Sequence, residues 1–415
     1  MRLSNKQARR FLLRHHGLFG EHIFNGKEGI MSYIRRVGCI QFDPVDICGR
    51  NTDIALNSRV KSYRKEMLSE LLYEDRCLVD YFDKNLAIFP VEDLPVFLKE
   101  TSGGSYAEAY DRRCGDALKR IEPVIRQLIN ERGHISAGEV ETDDTIEWHW
   151  GIMTSLPRAA LESMYFRGEL VIHHKTGTNK SYTFTKNVIP ADILSAPLPF
   201  RTGEDRLAWH VKRRIGAIGM LWNKASDAWL GLDLKAAERE TAFGKLLADG
   251  SIFEIAVEGI KHPLYVREEE RAVLEEVMAE AATSEPATSE AATSETATSK
   301  TATSEAATSE TTVPPRIEFI APLDCMMWDR KLISALFGFD YKWEIYTPKE
   351  KRKYCAYALP ILLGEEFIGR VEAVRKNKQL IINNVWLENE KPLSGKKKTA
   401  FEDCVNRLAE LNDCL

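Results

Sequence analysis

The 415-residue sequence predicts an α+β fold in which tandem winged-helix units are followed by a small antiparallel β-barrel or sandwich. The first supporting observation is that the chain before residue 279 divides into helix-rich units, of which the second and third end in two short strands around a turn. The second is a series of closely spaced β-rich segments near the C-terminus. The third is a polar repeat that separates these two parts and therefore marks a domain boundary.

Residues 1–105 form the first predicted unit. Ser4 can cap a helix that extends to about His15, because its hydroxyl can accept a hydrogen bond from a free backbone N–H of the first turn. Pro44 is expected to stop a strand that begins at Val37. The other predicted elements of this unit are two helices and a second strand, at residues 29–36, 63–73 and 77–82.

The second and third predicted units, residues 106–190 and 191–278, each end in a hairpin. In the second unit, the predicted helices and hairpin cover residues 106–131, 148–167 and 169–185, and Gly168 ends the second helix. In the third unit, a helix ending near residue 250 is followed by strands at residues 252–257 and 263–266. Helix, turn, helix and hairpin is the order of elements in a winged helix.

Residues 281–310 consist of six five-residue units, the first of which is Ala-Ala-Thr-Ser-Glu. Apart from Pro286, no side chain in them is apolar and larger than alanine, so the segment cannot bury a core. We therefore assign residues 279–315 to a linker. Residues 316–415 are predicted to contain three β-rich stretches and a closing helix, at residues 354–363, 366–373, 379–386 and 397–411.

Composition excludes several classes of protein. No 18-residue apolar run suggests a membrane span, and the basic N-terminus lacks a secretory core, so we expect a cytoplasmic, nucleoid-associated protein. The eight scattered cysteines predict neither a metal site nor a disulfide scaffold, and no motif calls for a cofactor. The net charge is −5, but residues 1–65 hold 13 basic against 5 acidic residues (+8) and residues 349–398 hold 12 against 6 (+6). Such basic segments suit either DNA binding or a solvated face.

Gln41 and Asp43 are the first candidates for chemistry. In a strand, alternation places both on one face while Ile40 and Phe42 face the other side. A carboxylate beside an amide suits hydrolysis of an N-glycosidic bond, because it can deprotonate a water and stabilise an oxocarbenium-like sugar. The alternative is structural: Asp43 followed by Pro44 is also a good helix start, with Asp43 as the N-cap.

A series of short motifs resembles winged-helix DNA glycosylases related to YcaQ and AlkZ. They cover nearly the whole chain outside the repeat, at residues 38–46, 50–53, 58–60, 133–136, 157–162, 166–170, 321–324, 327–330, 336–341, 344–348, 351–354, 359–362 and 369–370. The resemblance implies tandem winged helices and a C-terminal β-barrel that form a concave surface for DNA. It also implies excision of N7-alkylated purines, unhooking of interstrand crosslinks, and a catalytic Gln-x-Asp pair, here Gln41 and Asp43.

The sequence departs from the family pattern at two places. Many family members carry a histidine where this chain has Asp83, Lys84 and Asn85, and a proline where it has Cys325. These departures concern the range of substrates more than the type of reaction.

Six further residues are candidate DNA contacts. Arg50 and Arg59 can bind phosphates, or can form plain salt bridges. Lys175 and Lys180 flank the second hairpin, where wings meet the DNA backbone. His173 and His174 are adjacent on a strand, so at most one of them is expected to reach DNA.

The sequence therefore predicts a monomeric, monofunctional DNA glycosylase that acts on double-stranded DNA without a cofactor, a metal or a membrane. The alternatives are a winged-helix regulator without enzymatic activity and a structural, chromatin-type DNA-binding protein.

Overall fold

The computed structural model describes residues 1–101, 105–148, 151–232, 234–284 and 316–414. Residues 285–315, which include most of the predicted linker, lie outside the described residues. In the part that is described, no helix has the length and apolar character to cross a membrane.

In residues 1–101, the first unit combines five α-helices with short strands. The helical prediction at Ser4 is confirmed, since its hydroxyl accepts from the backbone of Gln7 and the Gln7 side chain accepts from the backbone of Ser4. The helices are α1 (Asn5–His15), α2 (Gly26–Val37), α3 (Asn51–Asn57), α4 (Lys65–Tyr73) and α5 (Leu94–Thr101). The strands are β1 (Arg2–Leu3), β2 (Phe24–Asn25), β3 (Ile40–Gln41), β4 (Val60–Lys61), β5 (Leu78–Asp83) and β6 (Asn85–Pro90).

The strand predicted over residues 37–43 is shorter than expected. Helix α2 continues through Val37, and Gly38 ends it with a φ of 79°, a left-handed value that favours glycine. Only Ile40 and Gln41 pair as strand β3, with Ile88 and Ala87 of β6. Strands β3, β6 and β5 form one antiparallel sheet, in that order.

The second unit contains the predicted hairpin, and a third strand extends it. Its elements are α6 (Ser105–Arg132), β7 (Ile135–Ser136), β8 (Thr145–Glu147), β9 (Met153–Ser155), α7 (Leu156–Phe166), β10 (Leu170–Thr176), β11 (Asn179–Phe184), α8 (Thr185–Val188) and α9 (Ala191–Leu194). The helix predicted from Trp148 begins only at Leu156, because strands β8 and β9 before it pair as a small antiparallel ladder.

The third unit follows the predicted order of helices and hairpin. It comprises α10 (Gly203–Ile218), α11 (Ala236–Ala248), β12 (Ile252–Val257), β13 (Leu264–Arg267) and α12 (Arg271–Ser284). Strand β1 runs parallel to β12, so the N-terminus of the chain completes the sheet of the third unit. Helix α12 occupies the first residues of the predicted linker.

The C-terminal part is an open sheet and not the expected barrel. Its elements are β14 (Ile317–Phe319), α13 (Arg330–Phe337), β15 (Leu359–Leu363), β16 (Glu366–Lys376), β17 (Gln379–Leu387) and α14 (Gly395–Leu411). The described strands pair in the linear order β14-β15-β16-β17. A closed barrel would need β14 to pair with β17, whereas helix α14 contacts both of these edge strands.

This C-terminal part packs on the first unit next to β3. The backbone N–H of Arg375 donates to the carbonyl of Ile47 at 2.9 Å, and the side chain of Asn412 donates to the carbonyl of Cys48 at 2.9 Å. The amide oxygen of Asn51 accepts from the backbone of Leu323 at 2.8 Å. The loop between β3 and α3 is therefore held by residues from the far end of the chain.

Candidate active site

Gln41 is the last residue of β3 and is almost completely buried, with 6% of its surface exposed. Its backbone carbonyl accepts from the side chain of Asn51 at 3.0 Å, which connects the strand to the start of α3. The backbone at this position is therefore held on both sides, by strand β6 and by α3.

Lys84 determines the orientation of the Gln41 amide. It lies at the turn between β5 and β6, and its Nζ donates to Oε1 of Gln41 at 3.2 Å. An ammonium group can only donate, so the atom that it contacts must be the amide oxygen, and the NH₂ group of Gln41 is directed elsewhere. The same Nζ lies 4.7 Å from the centroid of the Trp328 ring, at a distance suited to a cation–π contact.

The turn that carries Lys84 is fixed by an adjacent ion-pair network. Asp83 is buried and bonds to Arg213 at 2.7 Å and to Arg214 at 2.5 Å. Burial alone would raise the pKa of Asp83, but the charges of Arg214 and Arg213 hold it far below its usual range. Burial, followed by the nearby charge of Arg214, lowers the pKa of Lys84 to about 8.

Asp43 is half-buried and lies two residues beyond β3. Its Oδ1 accepts from the backbone N–H of Val45 at 2.9 Å, and its other oxygen has no bonding partner among the described residues. Burial raises the pKa of Asp43, and the bond from Val45 opposes this increase. The carboxylate is therefore anchored through one oxygen and available through the other.

The capping interpretation of Asp43 is wrong. No helix begins at Pro44; the next helix starts at Asn51, with Arg50 as its N-cap. The intervening chain turns back at Gly49, whose φ of 115° a side chain would disfavour, and the N–H of Gly49 donates to Asp46 at 3.2 Å. Asp43 thus lies in the loop before this turn and does not cap a helix.

The hairpin β10–β11 of the second unit lies against this segment. The Nζ of Lys175 lies 4.1 Å from the centroid of the Phe42 ring and bonds to the buried carboxylate of Asp80. Arg50 donates to the carbonyl of Gly177, at the tip of the hairpin, at 3.3 Å. The fold therefore brings Arg50 and Lys175 to the predicted catalytic segment, where both make contacts within the protein.

Comparison with known proteins gives the family. The family described as "DNA glycosylase AlkZ-like" matches residues 34–411. The chain belongs to the AlkZ-like DNA glycosylases. Its fold is similar to that of the DNA glycosylase AlkZ of Streptomyces sahachiroi, with a TM-score of 0.61 over 99% of this chain and 97% of that chain, at 14% sequence identity. It is thus an enzyme that acts on DNA, and the alternative of a regulator without enzymatic activity is not supported.

In this glycosylase, Arg59 is not a DNA contact as predicted. The side chain is fully buried and donates to Asp324 at 2.7 Å and to the carbonyl of Ala55 at 2.8 Å. Its guanidinium also lies 4.9 Å from the centroid of the Tyr33 ring. An arginine in these surroundings cannot reach phosphate, and it instead joins the first unit to the C-terminal sheet.

The prediction that His173 and His174 face opposite sides is also wrong. Strand β10 has a bulge between Ile172 and His174, which breaks the alternation of side chains. The Nδ1 atoms of the two histidines lie 2.8 Å apart. Burial, and then the neighbouring His134, Arg76 and His174, lower the pKa of His173 to about 4.

Lys180 pairs with Lys175 across the hairpin and is half-buried. Burial lowers the pKa of Lys180, as expected for an ammonium group that is partly removed from water. Its role in DNA binding remains a prediction, as do those of Arg50, Lys175 and the two histidines.

Sequence reasoning missed the role of Lys84, although a signal was present. The two departures from the family pattern, at residues 83–85 and at Cys325, lie far apart in sequence and meet beside Gln41. Cys325 donates to the carbonyl of Cys39 at 3.1 Å, two residues before Gln41. Because both departures from the family pattern lie beside Gln41, together they would have indicated that the surroundings of its side-chain amide differ from those in the family.

Proposed function

We propose that this glycosylase hydrolyses the N-glycosidic bond of N7-alkylated purines in double-stranded DNA, with Asp43 and Gln41 as its catalytic pair. The observation that carries the proposal is the Asp43 carboxylate, which is half-buried, lies outside any helix cap and has one oxygen without a hydrogen-bond partner among the described residues. Such a group can accept a proton from a water and stabilise a positively charged sugar.

The chemistry needs a base more than an acid. An N7-alkylated purine is already cationic, so the bond from C1′ to N9 can break without prior protonation, and the base leaves as a neutral purine. The oxygen of a water forms the new bond to C1′, and Asp43 takes the proton of that water. The carboxylate must be ionised for this step, and its negative charge also opposes the positive charge that develops on the sugar.

Gln41 acts as a hydrogen-bond donor in this proposal. Because Lys84 occupies the amide oxygen, the NH₂ group of Gln41 is the part left to orient the water or the nucleotide. Lys84 is a positioning residue here, since it acts through Gln41. With 3% of its surface exposed and its ammonium bonded to Gln41, it is poorly placed to attack a sugar, which supports a monofunctional enzyme.

We further propose that residues 1–105, 106–190 and 191–278 are three winged-helix units that bind the duplex, with residues 316–415 as a fourth domain. Each of the three combines helices with an antiparallel hairpin, the arrangement that a winged helix requires. The hairpin of the second unit adjoins Phe42, so DNA held there would run next to Asp43. Interstrand crosslinks are proposed as further substrates on the family resemblance alone.

Incubation with defined lesions tests the proposed reaction. Duplexes that carry one N7-methylguanine or one N7-linked interstrand crosslink are mixed with the protein, and abasic sites are scored by alkali cleavage. The expected result is abasic product from the N7-methylguanine duplex, none from an unmodified duplex, and no covalent complex after borohydride reduction. A folded, DNA-binding protein that releases no base from either lesion would overturn the assignment of substrate.

A further inference from the structure

We infer that His134, His173 and His174 form a binding site for one divalent transition-metal ion, with Zn²⁺ as the best match to the ligands. One potential ligand atom from each of the three side chains lies within 4.8 Å of the others. Imidazole nitrogens are ligands that Zn²⁺ binds readily, and three of them leave a fourth position of a tetrahedron open. The sequence predicted no metal site, because His134 is distant from the other two along the chain.

The fold brings the three rings together through one sheet. His134 follows the end of α6 and precedes β7, which pairs with β11, and β11 in turn pairs with β10. The bulge in β10 turns His173 and His174 to the same side, and the ring of His134 stacks on that of His173 with centroids 4.3 Å apart. Without the bulge, the adjacent histidines would face opposite sides of the strand and could not share an ion.

Neighbouring groups hold the rings in place, as the hydrogen-bond partners of ligand residues do at metal sites. The Nδ1 of His134 lies 2.9 Å from the hydroxyl of Ser181, which leaves Nε2 of that ring as the ligand atom. Arg76 donates to the carbonyls of Ile172 and His173 at 3.2 Å and 2.9 Å and so holds the backbone of the bulge. The rings are thus partly preorganised, which lowers the entropic cost of binding an ion.

The spacing of the rings is near that of a metal site. Bonds of about 2.0–2.1 Å from zinc to nitrogen place tetrahedral ligand nitrogens roughly 3.3 Å apart. The candidate ligand atoms now lie within 4.8 Å of one another. The three side chains are only half-buried, so small rotations can bring these atoms to the shorter separation. Imidazole ligands supply no thiolate charge, and the Arg76 guanidinium lies nearby, so we expect micromolar affinity and not the tighter binding of sites that contain thiolates.

A bound ion would connect this site to the candidate active site. It would fasten the residue before β7 to the middle of β10, and the next residue of β10, Lys175, contacts Phe42. Metal binding should therefore stabilise the hairpin that borders Asp43, without supplying a group to the reaction itself.

Metal titration of the full chain tests the inference. Zn²⁺ binding is measured by calorimetry, and Co²⁺ is used as a spectroscopic probe. The expected result is one ion per chain, visible d–d bands of four-coordinate Co²⁺ with no thiolate charge-transfer band, and a rise in melting temperature on addition of Zn²⁺. The absence of a thiolate charge-transfer band distinguishes this site from binding to partly exposed cysteines such as Cys77.

Single variants locate the site. His134→Gln, His173→Gln and His174→Gln should each weaken Zn²⁺ binding at least tenfold and abolish the rise in melting temperature, whereas His262→Gln, at an exposed histidine of the third unit, should leave both unchanged. Absence of a d–d spectrum in the wild type, or equal Zn²⁺ affinity in the three site variants and the control, would overturn the inference. The Zn²⁺ titration and the Co²⁺ spectrum of the wild type test the inference even if a variant fails to fold.

Discussion

Lys84 carries a positive charge where burial makes charge costly. It is 3% exposed, no carboxylate among the described residues bonds to it, and Arg214 lies close enough to lower its pKa further. Its polar contact is the amide oxygen of Gln41, supplemented by the face of Trp328. A side chain that costs stability at this place is most simply explained by its effect on Gln41.

Replacing Lys84 with methionine should stabilise the fold and slow the reaction. Folding lowers the pKa from 10.5 to about 8, a difference of about 2.5 units that corresponds to about 3 kcal/mol. Loss of the bond to Gln41 offsets about 1 kcal/mol of this, so we expect a net gain of about 2 kcal/mol at pH 7, measured by urea unfolding. The rate of base excision should fall because the Gln41 amide is free to rotate.

The pH dependence of stability provides the control for this prediction. Below pH 8 both the folded and the unfolded wild type carry the proton, so the full cost of the buried charge is present. As the pH rises from about 8 to 10.5, the folded state loses the proton first, and the wild type should approach the stability of Lys84→Met. A variant that is less stable than the wild type at pH 7 would contradict this account of Lys84.

Protonation of Asp43 should reduce the rate of base excision at low pH. Its raised pKa means that the base is protonated, and therefore inactive, at a pH where an ordinary aspartate is still ionised. Single-turnover rates of excision, measured from about pH 4 to about pH 7, should fall on the acid side with a midpoint above 3.8. A rate that does not change across this range would show that Asp43 is not the base.

At the scale of elements, the hairpin β10–β11 links the second unit to the catalytic segment. Lys175 contacts Phe42 and Asp80, and Arg50 contacts the hairpin tip at Gly177. Phe42 lies between Gln41 and Asp43, so the position of the hairpin affects both proposed catalytic side chains. Lys175 is therefore expected to act more on the reaction than on the affinity for DNA.

Lys175→Met should reduce the rate of excision by about tenfold to a hundredfold, because a small displacement of reacting groups is enough to cause such a loss. The affinity for undamaged duplex should change little. Lys186→Met is the matched control, since Lys186 is an exposed lysine just after the same hairpin. A result in which both variants weaken DNA binding equally and leave the rate unchanged would make Lys175 a plain phosphate contact.

Much of the element order could be predicted from sequence, but short and fully buried elements could not. Helices α1 and α6 and the end of α11 were predictable from the sequence pattern, and the hairpin β10–β11 from its turn residues. Strand β6 was missed because residues 87–90 are all buried and show no alternation. Helix α3 was missed because it is short and its first residue, Asn51, bonds to the C-terminal part.

Only part of the candidate site was predictable, because some of its contacts join residues that are far apart in sequence. The resemblance to glycosylases singled out Gln41 and Asp43, which lie two residues apart in sequence. The contacts of Lys84 and the bulge at His173 depend on residues from other elements, so no local pattern reveals them.

At the scale of the molecule, the parts before and after the linker are joined by buried polar contacts. Arg59 and Asp324, which lie 265 residues apart, form an ion pair with neither side chain exposed. The indole N–H of Trp222 in the third unit donates to Asp329 at 2.6 Å. The association should therefore not depend on the covalent link through the repeat.

Cleavage of the linker should leave the two parts together. A protease recognition sequence that replaces residues 296–300 allows specific scission of the full chain. Both fragments should then co-elute in gel filtration and retain excision activity, because the contacts around Arg59 and Asp329 persist. Asp324→Asn is the comparison, since it leaves the buried Arg59 without its counter-charge and should cost about 3–5 kcal/mol. Separation of the cleaved wild type in native buffer would contradict this view of the interface.

The most direct test of the account is the single-turnover rate at which Asp43→Asn releases N7-methylguanine from a duplex. The variant should bind the lesion duplex with wild-type affinity, since asparagine has nearly the same shape and can keep the bond to Val45. Its rate of base release should fall by about a hundredfold to ten-thousandfold, the usual contribution of a general base. Release at the wild-type rate would contradict the central claim and leave the base of this glycosylase to be found elsewhere.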